Sequence, residues 1–265
     1  MKVSFIVPCL NAASTLATTL GSILAQLVEG DEVLVVDNGS NDGSQNVAKG
    51  YPVQQMTCPR RGAAWARNHG AWRAQGQALA FVDADTELCP GWRNGMVAAL
   101  EGHQAVRCAI EPSAWAGPSR PLDRYRWALK YQRTNGTFVE GENGFPLINT
   151  AACLFRTDSF LGVGGFDTTL ERLEDTDLSL RYQRYALNTG TALTARALVR
   201  YHGSTWSYLR RSFANGRAMV RLQQRWGGQL VFQGALTELT GQHYWLDAAS
   251  ALARGCGNHL STRQT

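Results

Sequence analysis

At 265 residues, with 44% hydrophobic and 18% charged side chains, the chain is long enough for one large domain with its own core, and it has neither low-complexity tracts nor a fixed-period repeat. Its net charge of +5 is uneven: residues 181–265 hold 11 Arg, no Lys and only Glu238 and Asp247 (+9), whereas residues 1–180 hold 15 basic and 19 acidic groups (−4). Six scattered cysteines without a Cys-x-x-Cys pair signal neither a disulfide framework nor a structural zinc site, and no apolar stretch approaches the roughly 18–20 residues of a membrane helix. These properties lead to the expectation of a cytoplasmic protein with reduced thiols.

The apolar stretch 3–10 contains Pro8 and runs into Asn11 without a cleavage pattern, so it reads as a first strand over 2–8 and not as a signal peptide. Ser14 is the expected N-cap of a helix to about Leu27. Glu32–Asp37 is a second strand, NGSNDGS (38–44) a polar turn, 45–49 a short helix and 53–57 a weaker third strand. Gly62 opens a helix to about Gln75, and Ala78–Val82 is a fourth strand. Strands alternating with helical stretches imply βαβ units and a parallel sheet with right-handed crossovers. Beyond Glu101 the spacing predicts a strand over 105–110, a Pro- and Gly-rich loop over 112–121, a helix over 122–133 and a second loop over 135–145. A helix over 174–186, an extended segment over 191–202 and a basic amphipathic helix over 206–226 follow. Loops such as those at 112–145 commonly select a second substrate.

In a parallel sheet ligands bind outside the carboxyl ends of the strands, and here each such end is polar: PCLN at 8–11, DNGS at 37–40 and DAD at 83–85. Two carboxylates at i and i+2, Asp83 and Asp85, repel unless a cation compensates them. A divalent ion with few protein ligands is the natural compensation; an acidic turn capping the next helix is the plainer reading of the pair in isolation. On the 174–186 helix, Asp175, Leu178, Tyr182 and Tyr185 share one face, which turns Asp175 inward, while Asp177 stands four residues before Arg181 and suits an exposed pair.

Six segments in register, IVPCLN (6–11), VVDNGSNDGS (35–44), RRGAAWARNHG (60–70), FVDADTEL (81–88), GVGGFD (162–167) and LEDTDLSLR (173–181), resemble glycosyltransferase family 2 over residues 1–205. The resemblance implies an α/β GT-A fold, a Rossmann-like, mostly parallel twisted sheet flanked by helices. It implies a catalytic domain over 1–204, with a nucleotide-binding half (1–101) and an acceptor half (102–204), followed by a basic helical extension over 205–265. It also implies a metal-dependent inverting transferase, taking a UDP-sugar donor and Mn2+ or Mg2+. Pro8, Asn11 and Asp37 would hold the nucleobase, a carboxylate being a pure acceptor for the uracil N3–H. Many members carry a second Asp where this chain has Asn38. Arg67 would approach the nucleotide, with Arg61 a weaker candidate. Asp83 would reach the ribose or a metal-bound water, Asp85 would ligate the ion, and His202 would complete its site. Gly164 and Gly165 would let the backbone approach the donor sugar. Asp175 is the favoured general base and Glu174 the second choice.

The acceptor is expected to be a glycan, lipid-linked or other hydroxyl. The Arg-rich extension suits an anionic membrane surface, with no specific nucleic acid partner expected, although a solvated helix face explains the charge equally well. Two alternatives share the architecture: an inactive carbohydrate- or nucleic-acid-binding protein, and a sugar nucleotidyltransferase, which should carry a glycine-rich basic loop after the first strand. That loop is absent, as are the GxGxxG of dinucleotide oxidoreductases and the P-loop.

Overall fold

All residues of β1 (Val3–Cys9) except Pro8 are buried, as a strand covered on both faces requires. The computed structural model describes residues 1–113, 147–200 and 205–226. After β1 come α1 (Leu16–Leu24), β2 (Glu32–Asp37), α2 (Ser44–Lys49), β3 (Gln54–Thr57), α3 (Ala63–Ala71), β4 (Ala78–Val82), β5 (Thr86–Leu88), α4 (Trp92–Leu100) and β6 (Ala105–Pro112). Then follow β7 (Ala152–Arg156), α5 (Thr157–Gly162), α6 (Glu174–Arg184), β8 (Thr189–Val199) and α7 (Thr205–Trp226).

The strands form one sheet in the order β3-β2-β1-β4-β7-β6-β8-β5. The first four are parallel, as the βαβ pattern predicts, with Cys9 level with Asp37 and Ile6 level with Phe81. The second half departs from that pattern: β7 runs antiparallel to both β4 and β6, and β5 antiparallel to β8. The parallel β6–β8 pair completes a mixed α/β sheet that both sequence halves share. Strands β5 and β7 were not predicted, and the helices α1 and α3 stop short of Leu27 and Gln75. After α3 the chain passes so close to β1 at Gly76 that a Cβ there would lie 2.6 Å from the Ser4 nitrogen, which calls for glycine at the entry to β4. The residue preceding α1 is Thr15, not Ser14. The loops expected at 112–121 and 135–145 and the helix at 122–133 fall outside the described residues, apart from 112 and 113.

Alternate residues of β1 face opposite sides, and each side has its core. Phe5 and Val7 pack with Leu16, Leu20, Ile23, Trp92 and Met96 under α1 and α4. Ile6 packs on the other side with Phe81, Phe155, Phe160, Phe166, Leu178 and Tyr182 under α3, α5 and α6. In this second core Phe81 stands 5.1 Å from both Phe160 and Phe166, ring centre to ring centre. Each buried ring contributes roughly 2–3 kcal/mol, which fixes β4, and the acids that follow it, against α5 and the loop leading to α6. Among the described residues no helix is long and apolar enough to cross a membrane.

Candidate functional site

The loops after β1 and β2 are knitted together at the carboxyl edge. The Asn38 N–H donates to the Cys9 carbonyl at 2.8 Å. The Asn11 N–H donates to Ser40 Oγ at 3.0 Å, and Asn11 Oδ1 accepts the Asn41 N–H at 2.9 Å. Asn11 adopts a φ of +53°, a left-handed conformation that Asn tolerates because its short amide bonds locally. Asp37 accepts from Gln45 Nε2 at 2.8 Å and from the Gly39 and Ser40 N–H groups. Burial alone would raise its carboxyl, but the bonds from Ser40, Gln45 and Gly39 hold it below the ordinary carboxylate range. Asp37 is therefore a fixed, acceptor-only group, level with Cys9 and one position beyond Pro8 on the neighbouring strand.

Asn38 gains a role that the sequence reading did not give it. Its buried amide donates from Nδ2 to the Arg60 carbonyl at 2.7 Å and to the Cys58 carbonyl at 3.5 Å, while Oδ1 accepts the Gly62 N–H at 2.7 Å. Only a side chain with both a donor and an acceptor can serve these three backbone groups; a carboxylate could not. Asn38 thereby fixes the start of α3, and Arg61 closes over the same turn by donating to the Gly39 carbonyl at 3.2 Å.

Arg67, one turn into α3, is 4% exposed. Its guanidinium donates to Asp83 Oδ1 and to Glu174 Oε1, both at 2.7 Å, and lies over the Phe166 ring. Burial opposes its charge, but the two carboxylates more than offset this and raise its pKa. Arg67 thereby joins the acid loop after β4 to the start of α6. The cation that compensates Asp83 in this structure is a side chain.

Asp175 is next to this bridge and partly buried. Burial, then the charge of Glu174, push its carboxyl up to about 6, against the pull of Arg67 and of the Thr176 N–H that donates to it at 2.8 Å. The inward face predicted for α6 holds at Leu178 and Tyr182, both fully buried, but fails at Tyr185, which is 60% exposed. Asp177 also departs from expectation. It pairs with Arg181 at 2.9 Å as predicted, yet it is fully buried, because Trp226 Nε1 donates to it at 3.2 Å and Arg225 lies 3.6 Å away.

The backbone carbonyl of Asp85 accepts the Arg200 N–H at 2.9 Å, and Arg200 Nη1 donates to the Ser14 carbonyl at 3.2 Å. The end of β8 is thus tied to the loops after β1 and β4, a connection the sequence reading missed. Carboxylates are the hard oxygen donors that Mn2+ and Mg2+ take, one or two per ion, and Asp83 and Asp85 fit that set, with Asp83 Oδ1 shared with Arg67. Among the described residues no group of three or more His, Cys, Asp or Glu forms a ligand cage, and His202 lies outside them. Gly164 and Gly165 have φ values of +86° and +68°, conformations that glycine adopts at no steric cost. A Cβ on Gly165 would sit 2.7 Å from Asn68 Oδ1. Asn68 clamps the next residue at both ends, accepting the Phe166 N–H at 2.9 Å and donating to its carbonyl at 2.8 Å. The ARN segment therefore supplies two fixing residues, Arg67 and Asn68, of which only Arg67 is a candidate from the sequence, and there as a nucleotide contact.

The family model described as glycosyl transferase family 2 matches residues 4–160, well over half of the chain. The uncharacterized glycosyltransferase YibD of Escherichia coli K12 is 37% identical over 94 residues, which make up 34% of this chain and 27% of YibD. The curated relative thus extends far beyond the part it shares with this chain. In fold, the chain is similar to the mannosyltransferase PcManGT from Pyrobaculum calidifontis, solved with GDP-Man and Mn2+, with a TM-score of 0.62 at 19% identity over 98% of this chain and 73% of that one. It is likewise similar to GalNAc-T7, solved with UDP, GalNAc and Mn2+, with a TM-score of 0.60 at 17% identity over 84% of this chain and 48% of the other.

Proposed function

The chain belongs to glycosyltransferase family 2, and from that premise we propose that it transfers a sugar from a UDP-sugar to a hydroxyl of a glycan or lipid-linked acceptor, inverting the anomeric carbon. The observation that carries this reading is Asp175, a carboxyl pushed up to about 6 beside acids held in place by a buried arginine. A general base works best with a pKa near the working pH, and Asp175 meets that condition while Glu174 is committed to Arg67.

In the proposed reaction the acceptor oxygen attacks the anomeric carbon as the bond from that carbon to the diphosphate oxygen breaks, and Asp175 takes the acceptor proton. That proton transfer contributes roughly 10²- to 10⁴-fold. Asp37, held ionised, accepts the uracil N3–H, with Pro8 and Asn11 beside the base. Gly164 and Gly165 leave the donor-sugar side without side chains. Arg67 is assigned to positioning: it keeps Asp83 and Glu174 in place on either side of the reacting centre. Asp83 and Asp85, with His202, are the residues that would hold Mn2+ or Mg2+, whose charge would offset that growing on the diphosphate.

The test is a panel of UDP-, GDP- and dTDP-sugars, each with chelator, Mn2+ or Mg2+, read as released nucleoside diphosphate. UDP-sugar turnover that requires a divalent ion and falls at least 10²-fold in Asp175→Asn is the expected result. Preference for GDP-mannose would overturn the nucleobase assignment, and an Asp175→Asn variant of full activity would overturn the base.

A further inference from the structure

Helix α7 has five arginines and no acidic residue in its 22 positions. At 3.6 residues per turn, Arg210, Arg217 and Arg221 fall within about 40° of one another, in a row about 16 Å long. Arg210 and Arg221 are exposed and Arg217 is half-exposed, whereas Gly216, Ala218, Val220 and Leu222, around the rest of the circumference, are buried. The apolar side of the helix is thus spent on the protein, and its cationic row faces outward. The last turn is fastened: Arg225 bonds Asp167, and Trp226 donates to the buried Asp177 at 3.2 Å. Asp177 lies on α6 two residues from Asp175, so the direction of the row is set relative to the proposed base.

We propose that this row docks the protein on an anionic lipid surface. A straight line of guanidinium groups on a fastened helix can meet a negatively charged plane all at once. With its apolar side already packed, the helix binds by charge and without insertion. The partner is a bilayer carrying anionic headgroups, and the contact would place α6 beside that surface. Delivery of a lipid-linked acceptor to Asp175 is a corollary that rests on the proposed transferase reading; the docking itself does not.

The experiment is co-sedimentation of the full chain with vesicles of phosphatidylcholine alone or containing 30 mol% phosphatidylglycerol, over a range of NaCl and without any sugar donor. Each basic residue near an anionic surface strengthens binding roughly fivefold, so the three together account for about a hundredfold. Wild type is expected to bind only the anionic vesicles and to release as salt rises, and R210E/R217E/R221E to lose at least that factor. A control reversal at Lys2, Lys49 and Arg73, which removes the same net charge from exposed positions elsewhere, with the melting temperature of both variants, separates a local effect from misfolding or loss of net charge. Absence of wild-type binding at low salt, equal binding by the triple variant, an equal loss in the control, or binding to duplex RNA without binding to vesicles each overturns the proposal. Because no donor is present, failure here leaves the transfer chemistry untouched, and failure of the sugar panel leaves this result standing.

Discussion

Replacing Arg67 with Met and Glu174 with Gln is expected to move the acid limb of the pH–rate profile in opposite directions. In the native protein the Asp175 carboxyl stands at about 6, raised by burial and by Glu174 and lowered by Arg67. Loss of the guanidinium removes the cation that favours the ionised form, so in R67M the limb shifts to higher pH. Loss of the Glu174 charge removes a like charge while Arg67 stays paired with Asp83, so in E174Q it shifts to lower pH. The two bonds from the 4% exposed arginine, both 2.7 Å, also set a stability cost. Removing one partner of a buried ion pair costs about 3–5 kcal/mol, and at roughly 2–4 °C per kcal/mol R67M should melt on the order of 10 °C lower. The assay is kcat/KM for nucleoside diphosphate release from pH 5 to 9 at a temperature where both variants are folded. An R67M limb that stays put or moves down refutes the electrostatic argument. An E174Q loss as large as that of D175N makes Glu174 the base.

Three further outcomes follow from other contacts. The folded Asp175 carboxyl binds its proton at about 6 against an ordinary 3.8, so between about pH 4 and 6 the folded state holds the extra proton, and stability falls as pH rises through that window. Asp175→Asn removes this penalty, at most about 3 kcal/mol, and is expected to melt above wild type at pH 7.5 with a flatter pH dependence; a lower melting temperature contradicts it. Asn38→Asp sets a carboxylate against the Arg60 carbonyl, 2.7 Å away in the native bond, at about 1–3 kcal/mol, so thermal melting should drop and donor KM rise more than kcat falls. Behaviour identical to wild type would remove Asn38 from the site. Gly165→Ala drives a Cβ toward Asn68 Oδ1 at 2.7 Å, whereas Gly164→Ala meets open space. Both pay roughly 1–2 kcal/mol for a left-handed backbone, but only the first should melt several degrees lower again, and equal losses would show that the Asn68 clamp is not rigid.

The parallel half of the sheet is legible in the sequence because β1, β2 and β4 are continuous apolar runs separated by helical stretches, a pattern set by burial on both faces. Strand β5 has three residues, too few to show a period of its own, and its pairing with β8 makes it a strand; β7 is as long as β4 and mostly apolar, so its length does not hide it. The site divides in the same way. Residue types at strand ends and on a helix face are visible locally, which is why Asp37, Asp83 and Asp85 on the one hand and Asp175 on the other are legible as candidates. Which charge neutralises which is not visible: Arg67 and Glu174 are 107 positions apart, and Asp177 is buried by Trp226, 49 positions away. A rule of four-residue spacing finds the Asp177–Arg181 pair but cannot report that another helix covers it. The acids after β4 show the consequence most directly. Two like charges one residue apart predict a cation, and the fold supplies one for Asp83 from α3 before any ion binds. An ion added there would therefore act on a carboxylate already held in place, and the geometry of Asp83 would depend on Arg67 as much as on the metal.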